Sequence, residues 1–284
     1  WNFYVNLSKS SFNISVNMPN NGNYSSRKIV FNISSTSDVD LSYINYDDES
    51  PNWKKLCDNC DEYGKTRERT KTLNEGWNNL IIRGEDSLGN RIDKSLSIFI
   101  DSKKPKISKT LPEQNSITNG SGFYIKFIEE NLKKVSVSYN KTEIVITNCQ
   151  NKNQYTECFA DLDLRSLDGK EISFWYNVSD GIWNRGSKPK KMLVDSSSPV
   201  LGNITTSVSG RYVTFNIPVD EVNLDEIGYS EIINNTAKYN KLCSSLKNQA
   251  CAVKKSFSYG SHNLTIRALD EAGNSVSQQI SITI

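Results

Sequence analysis

Apolar and polar residues alternate along most of this chain. In Lys28–Ser34 (KIVFNIS), Phe123–Phe127 (FYIKF) and Tyr212–Ile217 (YVTFNI) every second residue is apolar, the spacing of a β-strand that buries one face. A second such run follows each: LSYINY from Leu41, VSVSYN from Val135 and IGYSEI from Ile227. No window combines a helical period with caps. The charged stretch DEYGKTRERTKTLNE, from Asp61 to Glu75, lacks an apolar stripe and reads as loop or solvated strand.

The pattern recurs in register. Moving Asn78–Asn90 (NNLIIRGEDSLGN) by 184 positions superimposes it on His262–Asn274 (HNLTIRALDEAGN), so that Leu80, Ile82, Asp86, Gly89 and Asn90 fall on Leu264, Ile266, Asp270, Gly273 and Asn274. The alternation continues beyond the turn, with Ile98 and Ile100 meeting Ile282 and Ile284. A fainter middle copy lies 94 positions after the first, pairing Leu80, Ile82 and Asp86 with Phe174, Tyr176 and Asp180. Three copies of a small all-β unit are expected.

Junctions between copies carry their own signature. IDSKKPKI, from Ile100, and VDSSSPVL, from Val194, both place Pro four residues after Asp. They divide the chain into 7–101, 102–195 and 196–284, leaving 1–6 as the strand of an upstream domain or as a donor strand. About seven short strands in some 90 residues, without helices, predict an antiparallel sandwich large enough for a modest core. In the repeated turn, Asp accepts backbone N–H groups and Gly273 supplies a positive φ.

The elements of this pattern, a strand, then Asp-x-x-Gly-Asn, a further strand and a closing Asp…Pro junction, resemble the tandem immunoglobulin-like β-sandwich repeats of bacterial and archaeal cell-surface proteins. The likeness is strong in the first and third copies and weak in the second, where Trp183 stands against the turn glycine. It implies three tandem immunoglobulin-like antiparallel sandwiches in a rod, as in stalks, adhesins, surface layers or filaments. It brings no catalytic residues with it.

Composition narrows the partners. Among 284 residues the net charge is +2 with the signs interspersed, which gives no basic face for nucleic acid and no polybasic membrane patch. No stretch approaches the roughly 20 apolar residues of a membrane span. The opening WNFYVNLSKS has neither the basic flank nor the apolar core of a signal peptide.

Six cysteines fall two to a copy: Cys57 with Cys60, Cys149 with Cys158, and Cys243 with Cys251. Three local disulfides are expected, each stapling a loop without linking the two sheets. The only histidine, His262, is in another copy from the Cys57-x-x-Cys60 pair, which argues against zinc. N-x-Ser/Thr triplets at Asn6, Asn13, Asn23, Asn32, Asn119, Asn140, Asn177, Asn203, Asn234 and Asn263 fit an N-glycosylated exterior protein.

Catalytic patterns are missing from the sequence. It contains no GxSxG, HExxH or phosphate-cradling glycine loop, and His262, at a strand start, is expected to face solvent. The acidic groups Asp47–Asp48–Glu49 and Asp161 with Asp163 read as solvated loops, and no cofactor is expected. Turn chemistry accounts for Asp86, Asp180 and Asp270. The alternative is a junction cation site that adds Asp101 or Asp195, for which oxygen ligands suit calcium.

Two apolar features are candidate contact sites. Ile182 and Trp183 replace the compact turn of the other copies, and interdomain packing is the leading reading of Trp183, ahead of loop cover or a sugar- or partner-binding aromatic. Trp1, Phe3 and Val5 alternate with polar residues as a half-buried strand, either closing a preceding domain or adding to a neighbouring molecule. The expected function is a non-catalytic structural segment of an extracellular cell-surface glycoprotein, associating with itself or with other surface proteins. Two alternatives are an adhesin recognising carbohydrate or protein, and an accessory region of a surface enzyme.

Overall fold

The computed structural model describes residues 12–231 and 239–284. The candidate strand Trp1, Phe3 and Val5, with Asn6, and the sequon at Asn234 lie outside them. The described chain is built of β-strands, with a single 3-10 turn at Arg165–Leu167 and no α-helix. It forms three tandem immunoglobulin-like β-sandwiches, each around its own apolar cluster.

The chain divides into two compact units, Trp1–Pro105 with Ser179–Arg185, and Lys106–Val178 with Gly186–Ile284. In the first, Phe31, Ile33, Leu41, Leu80, Ile82 and Ile98 are fully buried, and all come from alternating strands. The two expected opening strands, KIVFNIS and LSYINY, are one continuous strand, Lys28–Asn45. Its first half pairs with Arg69–Thr72 and its second with Gly76–Glu85, so one strand serves both sheets. The crossing falls at the exposed, apolar-free Thr36–Asp38, where the register with Lys54–Tyr63 also shifts. That partner strand and Arg69–Thr72 take up 61–63 and 69–72 of the charged stretch, and the rest of it is bend and loop, so it is part solvated strand and part loop.

The second unit holds the other two cores. One joins Phe123, Ile125 and Phe127 to Val137, Phe174, Tyr176 and Met192; the other joins Phe215 and Ile217 to Ile227, Leu264 and Ile266. Here the opening runs are separate strands, Phe123–Ile128 and Lys134–Tyr139, then Tyr212–Asp220 and Leu224–Glu231. Tyr176 is buried and its hydroxyl donates to the Leu111 carbonyl at 2.5 Å, while burial pushes its pKa upward.

The sheets are not purely antiparallel. Gly22–Tyr24 lies parallel to the end of Arg91–Ile100, and Ser116–Thr118 lies parallel to Lys190–Val194, 94 positions on. An early strand thereby crosses to the far sheet and ends beside the last strand. There it receives the linker: the Asp101 N–H donates to the Tyr24 carbonyl and the Asp195 N–H to the Thr118 carbonyl, both at 2.9 Å. Among the described residues the final strand, Ser275–Thr283, has no such parallel neighbour.

Candidate functional site at the repeated aspartate turn

Each repeated strand runs out of its core into an aspartate: Asp86, Asp180 or Asp270. In the first copy Asp86 Oδ1 accepts the Leu88 and Asn90 N–H groups, both at 2.9 Å, and Oδ2 accepts the Asn90 side-chain amide at 2.8 Å. The Asn90 amide leads in holding the Asp86 carboxyl below the usual range. The third copy repeats this: Asp270 Oδ1 accepts the Asn274 N–H at 2.8 Å and Oδ2 accepts its amide at 2.9 Å. Gly89 and Gly273 close these turns with φ of 82° and 91°, which only glycine adopts without strain.

Asn274 does more than cap its own aspartate. The same Nδ2 donates to the Asp195 carbonyl at 2.9 Å, and Oδ1 accepts the Asn119 amide at 3.2 Å. Asn223 donates to Asp195 Oδ2 at 3.1 Å. Within the second unit the linker aspartate is therefore clasped by two asparagines of the third sandwich. The N-terminal side of Asn274 was legible in the sequence as part of a turn; the reach of its amide, and the parts played by Asn119 and Asn223, were not.

The middle copy is built differently, and the ungapped register misplaces it by one residue. The Asp180 N–H donates to the Trp183 carbonyl at 3.2 Å, whereas Asp86 and Asp270 donate to Asn90 and Asn274, four residues on. The turn is one residue shorter, so Trp183 stands where the asparagine stands elsewhere, not at the glycine. Its indole N–H donates to the Asp101 carbonyl at 3.1 Å, the counterpart of Asn274 on Asp195. Lys104 Nζ lies 4.0 Å from the centre of its ring, a cation–π distance. Ile182 is half-buried, and its N–H donates to Asp180 Oδ1 at 2.7 Å.

Asp180 and Asp101 are both buried, 4% and 3% exposed, and present carboxylate oxygens within 4.8 Å of each other. Asp180 Oδ1 accepts the Ile182 and Trp183 N–H groups; Oδ2 is buried without a hydrogen-bond partner. Asp195, the linker aspartate of the next junction, has Oδ1 on the Ser197 N–H and Oδ2 on Asn223.

All six cysteines are bonded in the expected pairs. Cys57–Cys60 sits within one strand and Cys149–Cys158 joins directly opposed residues of neighbouring strands. The third pair corrects the expectation that none would link sheets. Cys243 ends Asn240–Cys243, in the sheet of Leu224–Glu231, while Cys251 lies in Ala250–Ser256, paired with Tyr212–Asp220 in the opposite sheet. The similar spacing of the second and third pairs, 9 and 8 residues, hides this, because the hairpin at Lys247–Ala250 turns the chain between sheets.

His262 also departs from expectation. It is 8% exposed, with Nδ1 3.0 Å from Glu231 Oε1, Nε2 2.9 Å from the Ser258 carbonyl and its ring against Phe257. The Ser258 carbonyl, followed by Glu231, raises its pKa above the ordinary histidine value. At the shift of 184 its sequence position matches Asn78, which is likewise buried, and the masking ring of Phe257 comes from the residue that follows Ala250–Ser256, which the alternation does not connect to it.

The acidic groups are tied up separately by neighbours. Asp47 accepts the Asn79 N–H and Asp48 pairs with Lys54, while Asp161 accepts the Gly122 N–H and Asp163 pairs with Arg165. Of the sequons, Asn13, Asn23, Asn140, Asn203 and Asn263 are exposed and Asn32, Asn119 and Asn177 are half-buried. No helix among the described residues is long and apolar enough to cross a membrane.

No protein-family model matches the sequence, and no curated protein matches it. Solved structures resemble it at low identity. The FN1–FN3 domains of chicken CNTN1 match at 10% identity and TM-score 0.44, over 95% of this chain and 97% of that one. A three-immunoglobulin segment of titin matches at 11% identity and 0.41, over 95% and 98%. A tetra-tandem repeat from the extending region of a large adhesion protein matches at 11% and 0.37, over 96% and 74%. At these values the likenesses assign neither family nor function.

Proposed function

We propose that the chain is a non-catalytic structural segment of an extracellular glycoprotein, with domains at 7–101, 102–195 and 196–284 that hold a partner at a distance from the cell or assemble with copies of themselves. The observation that carries this reading is the clasp on Asp195. A linker aspartate whose main-chain N–H, main-chain carbonyl and carboxylate are all engaged resists bending, which is what a spacer requires. Three local disulfides support the compartment, because such bonds persist in oxidising surroundings. Five exposed sequons support N-glycans as surface partners.

Brief protease treatment of intact cells of the source organism tests this reading. Release of peptides from this chain before those of cytosolic proteins supports it. Peptides that appear only after lysis overturn it.

An adhesive role is favoured by one separate observation. On the first sandwich, Trp77 and Phe99 stack edge to face at 5.3 Å with Trp77 59% exposed, while Arg83 lies 4.0 Å over the Trp53 ring. Glycan-array binding lost in Trp77→Ala would establish it, and an array without signal would remove it.

A further inference from the structure

The geometry points to a calcium site formed at Asp180 and Asp101, present in the middle copy because a tryptophan has taken the place of the turn asparagine. An asparagine amide carries two N–H donors; an indole carries one. Asn274 spends one donor on the linker carbonyl of Asp195 and the other on Asp270 Oδ2. Trp183 has a single donor, and it goes to the linker carbonyl of Asp101. Asp180 Oδ2 is the acceptor left over, and it is the buried carboxylate oxygen without a partner among the described residues.

A carboxylate oxygen buried without a partner costs on the order of 1–3 kcal/mol, more when the group is charged. The second buried carboxylate, Asp101, within 4.8 Å, adds negative charge to the same place. A cation meets both demands. Both residues belong to the first compact unit. The ligand chemistry is oxygen only: all six cysteines are in disulfides, and His262 is engaged by Glu231 and Ser258. Carboxylate oxygens without nitrogen or sulfur ligands suit calcium, which accepts variable geometry, better than zinc, which favours nitrogen and sulfur, or magnesium, which demands a near-ideal octahedron.

The other turns fit the same argument in reverse. At Asp86 and Asp270 both carboxylate oxygens accept bonds from Asn90 and Asn274, and at Asp195 both oxygens are engaged by Ser197 and Asn223. The cation site is therefore specific to the copy with Trp183.

Trp183 also provides the probe, since its indole lies in contact with Asp101 and can sensitise a bound lanthanide. The full chain, stripped with chelator, is titrated with Tb3+ while the indoles are excited, and the signal is competed with Ca2+. Sensitised emission displaced by Ca2+ is expected, with roughly tenfold or greater loss of affinity in Asp180→Asn. Saturating Ca2+ is expected to raise the melting temperature by about 5 °C in the unsubstituted chain and not in Asp180→Asn. Trp183→Asn restores the residue of the other copies and is expected to fold while losing most of the calcium-induced shift. Unsubstituted protein without Ca2+-displaceable emission overturns the site, as does a calcium shift that Trp183→Asn and a folded Asp180→Asn both retain.

Discussion

Asn274 and Trp183 make the same contact in successive copies: each side chain donates to the main-chain carbonyl of a linker aspartate, Asn274 to Asp195 at 2.9 Å and Trp183 to Asp101 at 3.1 Å. They differ in what is left for the turn aspartate. That difference sets the first expectation. Asn274→Ala removes three side-chain hydrogen bonds and strands two buried acceptors, a loss of about 2–4 kcal/mol, whereas Asn90→Ala removes one and costs about 1 kcal/mol. Denaturant unfolding of both variants measures the gap, and equal losses would show that the reach of Asn274 to Asp195 contributes nothing.

His262 makes stability depend on pH. The doubly protonated ring donates from both nitrogens, to the Ser258 carbonyl and to Glu231, and a neutral ring can donate from only one. The raised pKa means that the protonated form is favoured in the folded state. Its contribution is therefore complete below the unfolded value near 6.5 and is lost as pH rises through the higher folded value. The melting temperature of the third sandwich should fall across that window, and His262→Gln should flatten the fall. A profile unchanged by the substitution contradicts this role.

The disulfides should differ in effect. Cys149–Cys158 and Cys243–Cys251 close segments of similar length, with sequence separations of 9 and 8, so chain entropy alone assigns each about 2.5 kcal/mol. Only the second joins the two sheets. Replacing Cys243 and Cys251 by alanine is expected to destabilise its sandwich more than the matching change at Cys149 and Cys158. Amide hydrogen exchange of each sandwich reads this locally, and an equal loss of protection would assign both bonds to loop entropy.

Sequon occupancy should follow geometry. Asn13, Asn23 and Asn263 are exposed, while Asn119 is half-buried and its amide donates to Asn274. Glycopeptide mapping of native material is expected to find glycans at the exposed sites and none at Asn119. A glycan at Asn119 would mean that this amide is not held against Asn274 in the native protein.

The sequence made the strands legible because burial of one face repeats every second residue, as at Phe31 and Ile33 or Leu264 and Ile266. The cysteine pairs were legible because each lies within a short span. What alternation cannot encode is which strands meet across the sandwich. The burial of His262 under Phe257, the sheet-to-sheet path of Cys243–Cys251 and the parallel placement of Gly22–Tyr24 all depend on that. The one-residue shortening at Asp180 escaped for another reason: Asn184 keeps the ungapped match to Asn90, although the backbone bond goes to Trp183.

The claim that these sandwiches belong to an extracellular scaffold is tested most directly by peptide mapping of unreduced protein from its native source. The account predicts three linked peptide pairs, Cys57 with Cys60, Cys149 with Cys158 and Cys243 with Cys251, and no alkylatable thiol. Free thiols at these positions would contradict it.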